Sequence, residues 1–367
     1  MEIPPISDSL GVQPQNGPSS AGVPEMAEAK GIPFNGWCAP DVLQTQLTLD
    51  LVRRVNAPKG AVFEQHLLYT DSTSALDWIS FCNRKDYGSM VNYYDIQHMD
   101  WAATIVCRYL LDSQFERQNL DLVFLSCRDG KQEEAFTHCL MAKQRFQRLN
   151  CYLLDSSSVL ALTSCQRFFE VFCYYPEVKP FFLIADFMNL PQYEDLFDEP
   201  TNKRLRVFTL FGGTIGNLSN ELRLVRHSLR ALKTGDLFLV HAYLGFASPD
   251  KQDEIRDQEP LFQHLSAGGD PAIEAWIRGP FERHRRDMKS IRFEYILKRN
   301  TTSTFPNSYT IEMQALVNEE ARFVVLEMHR YELSSFIGTF VQEGFRIVSG
   351  QTYGYKNKRL VYLFAKE

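Results

Sequence analysis

The sequence lacks the marks of an exported, membrane-spanning or metal-bound protein. No apolar run approaches the roughly 20 residues that cross a bilayer. The opening stretch, MEIPPISDSLGVQPQNGPSSAGVPEMAEAKGIP, has neither a basic start nor an apolar core, so it is not read as a signal peptide. None of the 8 cysteines forms a CxxC pair or a Cys/His cluster, which argues against structural zinc and for reduced thiols. Positive charge is not in excess: the net charge is −6 and the pI about 5.8. No global basic field therefore advertises nucleic acid or an anionic membrane. These absences predict a cytoplasmic, metal-independent globular protein with no nucleic-acid or membrane partner. A length of 367 residues, 44% hydrophobic, allows one large domain or two ordinary ones.

What is present begins with composition. Residues 1–35 are rich in Pro, Gly and Ser and read as a disordered tail. Apolar positions from Asp41 to Val55 suit one helix face, and a second helix is predicted from Ile96 to Leu111. The intervening stretch holds Tyr69, Trp78, Phe81, Tyr87, Tyr93 and Tyr94, which suit either helical packing or the wall of a pocket. A repeating rhythm follows. Apolar strands at Leu122–Leu125, Tyr152–Leu154, Phe181–Ala185, Val207–Phe211 and Leu237–His241 alternate with helices at Gln132–Leu149, Val159–Tyr174 and Leu222–Leu232. Continuous apolar strands alternating with helices predict an α/β fold, a doubly wound parallel sheet covered on both faces. The alternation breaks after residue 243. A charged segment (Asp250–Gln258) and a basic one (Arg278–Lys289) precede a hairpin of Ile291–Leu297 and Tyr309–Val317, parted by the turn-rich Asn300–Ser308. Arg322–Leu326 restarts the core rhythm, and strands at Arg346–Val348 and Leu360–Phe364 close it. The predicted organisation is a helical cap at 36–115, a Rossmann-like core at 116–243 and 321–367, and an inserted substrate or lid domain at 244–320.

Parallel sheets bind ligands beyond the carboxyl ends of their strands. At those ends stand Ser126-Cys127-Arg128-Asp129-Gly130-Lys131, Asp155-Ser156, Asp186-Phe187, Gly212-Gly213-Thr214-Ile215-Gly216-Asn217, and His241-Ala242-Tyr243. Two more absences narrow the ligand. GxxxxGK[ST] is missing, which removes a P-loop, and GxGxxG is missing from the first loop, which leaves a pyrophosphate poorly supported. S-adenosylmethionine has no phosphate to cradle. It needs close backbone approach at the first loop, an acid after the second strand for the ribose hydroxyls, and an acidic-plus-apolar pair after the third for adenine. Asp155 and Asp186-Phe187 have those characters, although a lone strand-end Asp also serves as a helix cap.

The stretch Leu210–Leu218, LFGGTIGNL, resembles the strand-four signature of the histidine-specific methyltransferase family of ergothioneine biosynthesis, which includes fungal enzymes that N-methylate a prenylated tryptophan. The first loop is similar to that family's LGxGDGxK with two glycines replaced; Leu154-Asp155-Ser156-Ser157 resembles its Val-Asp-Ile-Ser, and Arg330-Tyr331 with Gly344-Phe345 its closing motif. The resemblance implies a class I methyltransferase core, a second domain built from the N-terminal segment and an insertion after strand five, and S-adenosylmethionine as cofactor. It implies cofactor contacts from Ser126, Arg128, Gly130, Lys131, Asp155, Ser156, Asp186, Phe187, Phe211, Gly212 and Gly213. Histidine-specific members carry Glu-x-Ser near the C-terminus to read imidazole. A gapless count places Leu326 and Met328 there, whereas a one-residue shift would place Glu327 and His329. On the gapless count histidine is not the acceptor, because Leu cannot hydrogen-bond an imidazole.

The expected chemistry is SN2 methyl transfer, with the protein supplying alignment and desolvation, to an amine on a small amino-acid-like molecule. Asn217 is the foremost substrate contact, since its amide both donates and accepts, or else a cap for the helix that follows. Tyr69, Tyr243, Leu326 and Met328 complete the expected acceptor site. His241 and Tyr243 are the candidates to assist deprotonation, though a strand-end His is also a common structural residue. Alternatives are an O- or C-methyltransferase, or a catalytically silent cofactor-binding protein. A monomer or homodimer is expected.

Overall fold

The computed structural model describes residues 35–39, 44–84, 93–112, 119–197, 205–245, 262, 265–267, 269–299, 305, 308–353 and 359–367. The expected tail up to residue 34, Tyr87, Asp250–Gln258 and most of the 300–308 turn lie outside them, and for Tyr93 and Tyr94 only the helical backbone is described.

Strands are β1 (Asn35–Cys38), β2 (Asn119–Leu125), β3 (Arg148–Asp155), β4 (Val178–Ile184), β5 (Leu205–Leu210), β6 (Leu237–Tyr243), β7 (Ile291–Arg299), β8 (Tyr309–Val317), β9 (Ala321–Arg330), β10 (Phe345–Tyr353) and β11 (Arg359–Lys366). Helices are α1 (Gln44–Val55), α2 (Ser72–Cys82), α3 (Tyr93–Asp112), α4 (Lys131–Lys143), α5 (Ser158–Phe172), α6 (Glu221–Arg226), α7 (Pro271–His284) and α8 (Leu333–Gln342). The predicted helix to Leu149 stops at Lys143, because Gln144 turns extended and Arg148 already enters β3.

Eight strands form one sheet in the order β1-β4-β3-β2-β5-β6-β11-β10. The neighbouring pairs from β1 to β6 are parallel, whereas β11 runs antiparallel to both β6 and β10. This is a Rossmann-like, doubly wound α/β arrangement with one reversed strand. β5 is buried along its whole length, as a mostly apolar strand covered on both faces is, with Arg206 and Thr209 its buried polar exceptions. One face packs Leu190, Leu224, Phe336 and Phe340 from α6, α8 and a 3₁₀ segment at Phe187–Leu196. The other packs Val106, Phe136 and Phe168 from α3, α4 and α5. At the amino ends of β5 and β6, Arg206 and Asp236 form a buried pair, Nε donating to Oδ1 at 2.9 Å.

A second, antiparallel sheet, β7-β8-β9, packs with α1, α2 and α7 around Phe63, Trp78, Trp276, Phe281 and Phe323. Two boundaries therefore differ from expectation. Residues 321–330 belong to this second sheet, because β9 pairs along its length with β8. The 36–115 segment is divided: β1 extends the main sheet beside β4, and α3 covers that sheet, while α1 and α2 join the second unit. The segments cross-link where Phe63 N donates to Val324 O at 2.8 Å. Much of the basic stretch is used structurally. Arg283 pairs with Asp71 at 2.9 Å, and Arg285 Nη1 donates to Val55 O at 2.7 Å.

Candidate functional site

The sheet reverses its winding between β2 and β5, so a cleft opens beyond their carboxyl ends. The loop after β2 adopts left-handed backbone at Ser126 (φ 64°) and Arg128 (φ 49°), the two positions where the resembling motif carries glycine. Such a conformation costs a non-glycine residue roughly 1–2 kcal/mol. Surrounding bonds hold it in place. Ser126 N donates to Leu154 O at 2.9 Å, Ser164 Oγ to Arg128 O at 2.8 Å, and Arg167 Nε to Asp129 O at 2.9 Å.

Asp155 ends β3 with its carboxylate buried. Oδ1 accepts from Ser157 N at 2.9 Å and Oδ2 from Arg128 N at 3.4 Å. Burial outweighs these bonds and pushes its pKa up to about 6. At the end of β4, Asp186 Oδ1 accepts from Met188 N at 2.9 Å, so the residue caps the 3₁₀ segment while facing the cleft.

After β5 the chain makes two left-handed residues, Gly212 (φ 64°) and Gly213 (φ 70°), then a 3₁₀ turn at Thr214–Asn217. A Cβ on Gly212 would lie 2.5 Å from Arg128 Nη1, and one on Gly213 would run into the Tyr243 ring. The glycines thus make room for this protein's own side chains. Arg128 Nη2 uses that room to donate to Gly212 O at 2.9 Å and Thr214 Oγ1 at 3.3 Å. The cap of α6 is Asn220, whose Oδ1 accepts from Arg223 N at 3.0 Å, so capping falls to Asn220 and Asn217 faces the cleft.

These loops enclose a cavity of about 280 Å³. Of the expected residues, Ser126, Arg128, Asp155, Ser156, Asp186, Phe187, Asn217 and Tyr69 line it together. Tyr69 stacks on Trp276 with ring centroids 5.2 Å apart, its Oη accepts from Gln65 Nε2 at 2.8 Å, and burial raises its pKa well above the ordinary phenol range.

The other expected residues stand elsewhere. Gly130 and Lys131 lead into α4, with Lys131 Nζ 3.1 Å from Asp129 Oδ2. Phe211 packs on Phe136 in the core, and Gly212 and Gly213 lie behind Arg128 and Tyr243. His241 is fully buried, its pKa driven far down by desolvation and by Arg359. Neither of its ring nitrogens has a hydrogen-bond partner among the described residues. The Tyr243 ring packs against the Arg330 and Arg359 guanidiniums at 4.8 and 5.0 Å. Leu326 lies in the apolar core of the second sheet, and Met328 packs against it.

The cavity also draws Glu64, Gln65 and His66 from the 3₁₀ turn before α2, and Ser219, Asn220 and Arg223 from the start of α6. No motif marks the first three. They reach the cleft because residues 61–63 hydrogen-bond to Val324 of β9, a pairing between distant segments that no local pattern signals. Among the described residues no group of three His, Cys, Asp or Glu is placed to hold a metal, and no helix is long and apolar enough to cross a membrane.

No protein-family model matches the sequence, and no curated protein matches it either. Among solved structures, the chain is similar to the glycopeptide N-methyltransferase MtfA with S-adenosylmethionine, at 11% identity, 72% of this chain, 94% of that one and a TM-score of 0.35. It is similar to magnesium protoporphyrin IX methyltransferase from Synechocystis PCC 6803 with bound S-adenosylhomocysteine, at 10% identity, 82% and 97% coverage and a TM-score of 0.42. It is similar too to the mitomycin 7-O-methyltransferase MmcR, at 11% identity, 89% and 69% coverage and a TM-score of 0.39. What the cleft can hold is decided by its own residues.

Proposed function

We propose that this cleft binds S-adenosylmethionine and that the protein methylates a small amine, an amino acid or a metabolite derived from one. The observation that carries the proposal is the convergence of Arg128, Asp155 and Asp186-Phe187, from three successive strand ends, on one cavity. The donor set suits this cofactor. A buried carboxylate at Asp155 accepts from ribose hydroxyls, Asp186 and Phe187 read and cover adenine, and the Arg128 cation pairs with a terminal carboxylate. When bound, the cofactor supplies an electrophilic methyl group on sulfur.

The remaining wall belongs to the acceptor. Asn217 orients it through an amide that donates and accepts, and Tyr69 packs against it. His66 lies on the same cavity with Nδ1 3.7 Å from Glu64 Oε2. It is placed to take the amine proton, whereas buried His241 is not. Burial raises the Tyr69 phenol, which makes it a poorer base than His66. An acceptor other than histidine is favoured, because the β9 positions matching the imidazole-reading pair, Leu326 and Met328, belong to apolar clusters and do not line the cavity.

Isothermal titration with S-adenosylhomocysteine, followed by transfer of a labelled methyl group to a panel of amino acids and arylethylamines, tests the proposal. Micromolar binding and labelled product support it; absence of binding would sink it. The left-handed Ser126 and Arg128 favour a second reading, a cofactor-binding protein without turnover, for which binding without transfer to any panel member is the expected result.

A further inference from the structure

Behind Asn217, away from the cavity, lies a buried polar cluster. Tyr331 Oη is 3.1 Å from Ile215 O and 3.2 Å from Glu221 Oε1. His329 Nε2 donates to Leu218 O at 3.0 Å and sits 3.6 Å from Glu221 Oε1, while Thr310 Oγ1 is 2.6 Å from His329 Nδ1. All four residues are at most 6% exposed. The two carbonyls held, Ile215 and Leu218, bracket Asn217 in the turn. The turn also lies against the backbone of β9, where a Cβ on Gly216 would be 3.0 Å from His329 O.

Donor and acceptor counting favours one arrangement of the protons. Tyr331 has a single O–H and two acceptors within reach. Both are satisfied when Glu221 is protonated and donates to Tyr331 Oη, leaving the phenol to donate to Ile215 O. Burial, the largest influence on Glu221, raises its pKa to about 7 and agrees with that assignment. Desolvation lowers His329 to about 4, so its neutral ring donates through Nε2 and accepts from Thr310 through Nδ1.

We propose that Tyr331, His329 and Glu221 are positioning residues for the methyl acceptor, clamping the carbonyls on either side of Asn217 onto the second sheet so that the Asn217 amide keeps one orientation in the cavity. The proposal rests on the assignment of Asn217 to the acceptor. Through the clamp, β8 and β9 act on acceptor recognition without touching the acceptor.

The test compares Tyr331→Phe, which removes the O–H but keeps the ring packed on Phe305 and Phe336, with Glu221→Gln, whose amide still donates to the phenol. Hydrogen exchange of the 211–220 segment is expected to rise at least tenfold in Tyr331→Phe and to stay within threefold of wild type in Glu221→Gln. S-adenosylhomocysteine affinity stays within threefold in both. For any panel amine that the wild type methylates, the acceptor KM rises about tenfold in Tyr331→Phe while the cofactor KM holds. Unchanged exchange in Tyr331→Phe, or loss of S-adenosylhomocysteine affinity in step with it, overturns the clamp. Should Tyr331→Phe fail to fold, Thr310→Val, which frees His329 Nδ1, is measured the same way. A wild type that binds no S-adenosylhomocysteine removes the methyl-transfer function and the proposal with it, so that titration tells the two failures apart.

Discussion

Arg128 fills the space that a side chain at Gly212 would need, and its Nη2 donates to the Gly212 carbonyl at 2.9 Å. Gly212→Ala puts a methyl group 2.5 Å from the guanidinium nitrogen at a left-handed position. The backbone costs about 1–2 kcal/mol, and the displaced hydrogen bond about 1 kcal/mol more. Urea denaturation should show a loss of about 2–3 kcal/mol; a midpoint equal to wild type would mean that Arg128 is not held there.

Arg128→Gly separates strain from charge. It relieves the left-handed backbone at φ 49° but removes the cation from the cavity. S-adenosylhomocysteine, which has a carboxylate, should bind at least tenfold more weakly. Adenosine, which has none, should bind within about twofold of wild type, since charge-assisted bonds contribute about 1.5–3 kcal/mol. Equal losses for both ligands would remove Arg128 from the carboxylate role.

Asp155 titrates near 6 because it is buried. Ribose hydroxyls donate to the ionised form, so S-adenosylhomocysteine affinity should fall as pH drops through about 6. Asp155→Asn should weaken binding by roughly tenfold to a hundredfold at pH 8 and abolish that step. A pH-independent wild-type affinity contradicts the assignment.

Stability should be greater at pH 6 than at pH 8. Glu133, Glu221 and Asp155 are raised to about 8, 7 and 6 by burial. In that window the native state holds protons that the unfolded chain has released, and stability falls as pH rises. His98, His241 and His329, all lowered by burial, work in the opposite sense once the unfolded chain protonates below about 6.5. They flatten the gain on the acid side. Urea midpoints at the two pH values check the sign, and Glu133→Gln should remove most of the difference. A higher midpoint at pH 8 contradicts it.

The main sheet is legible because strands such as β2 and β5 are buried on both faces and so are predominantly apolar along most of their length. Their ends were legible for the same reason, since Arg128, Asp155 and Asp186 interrupt those runs. The apolar alternation of β9 says that one face is buried, not which sheet buries it, so residues 321–330 pair with β8 where the sequence pattern points to the core. Leu326 and Met328 went with it. His241 illustrates the converse limit: a polar residue at a strand end is visible in sequence, but its burial beside the Tyr353 ring of β10 is a contact between distant segments that leaves no local trace. Glu64–His66 were hidden likewise, being placed by a pairing with β9 from the far end of the chain.

The place of β11 governs the order in which the molecule can assemble. It follows β10 in sequence, yet it lies inside the sheet between β6 and β10. β10 pairs with β11 alone, so it has no strand partner until residues 359–366 have been synthesised. Until then β6 is an open, apolar edge during translation, the kind of surface that recruits other chains. The sheet therefore closes only when β10 and β11 are both in place, and deleting residues 359–366 would leave β10 without a strand partner and β6 paired with β5 alone.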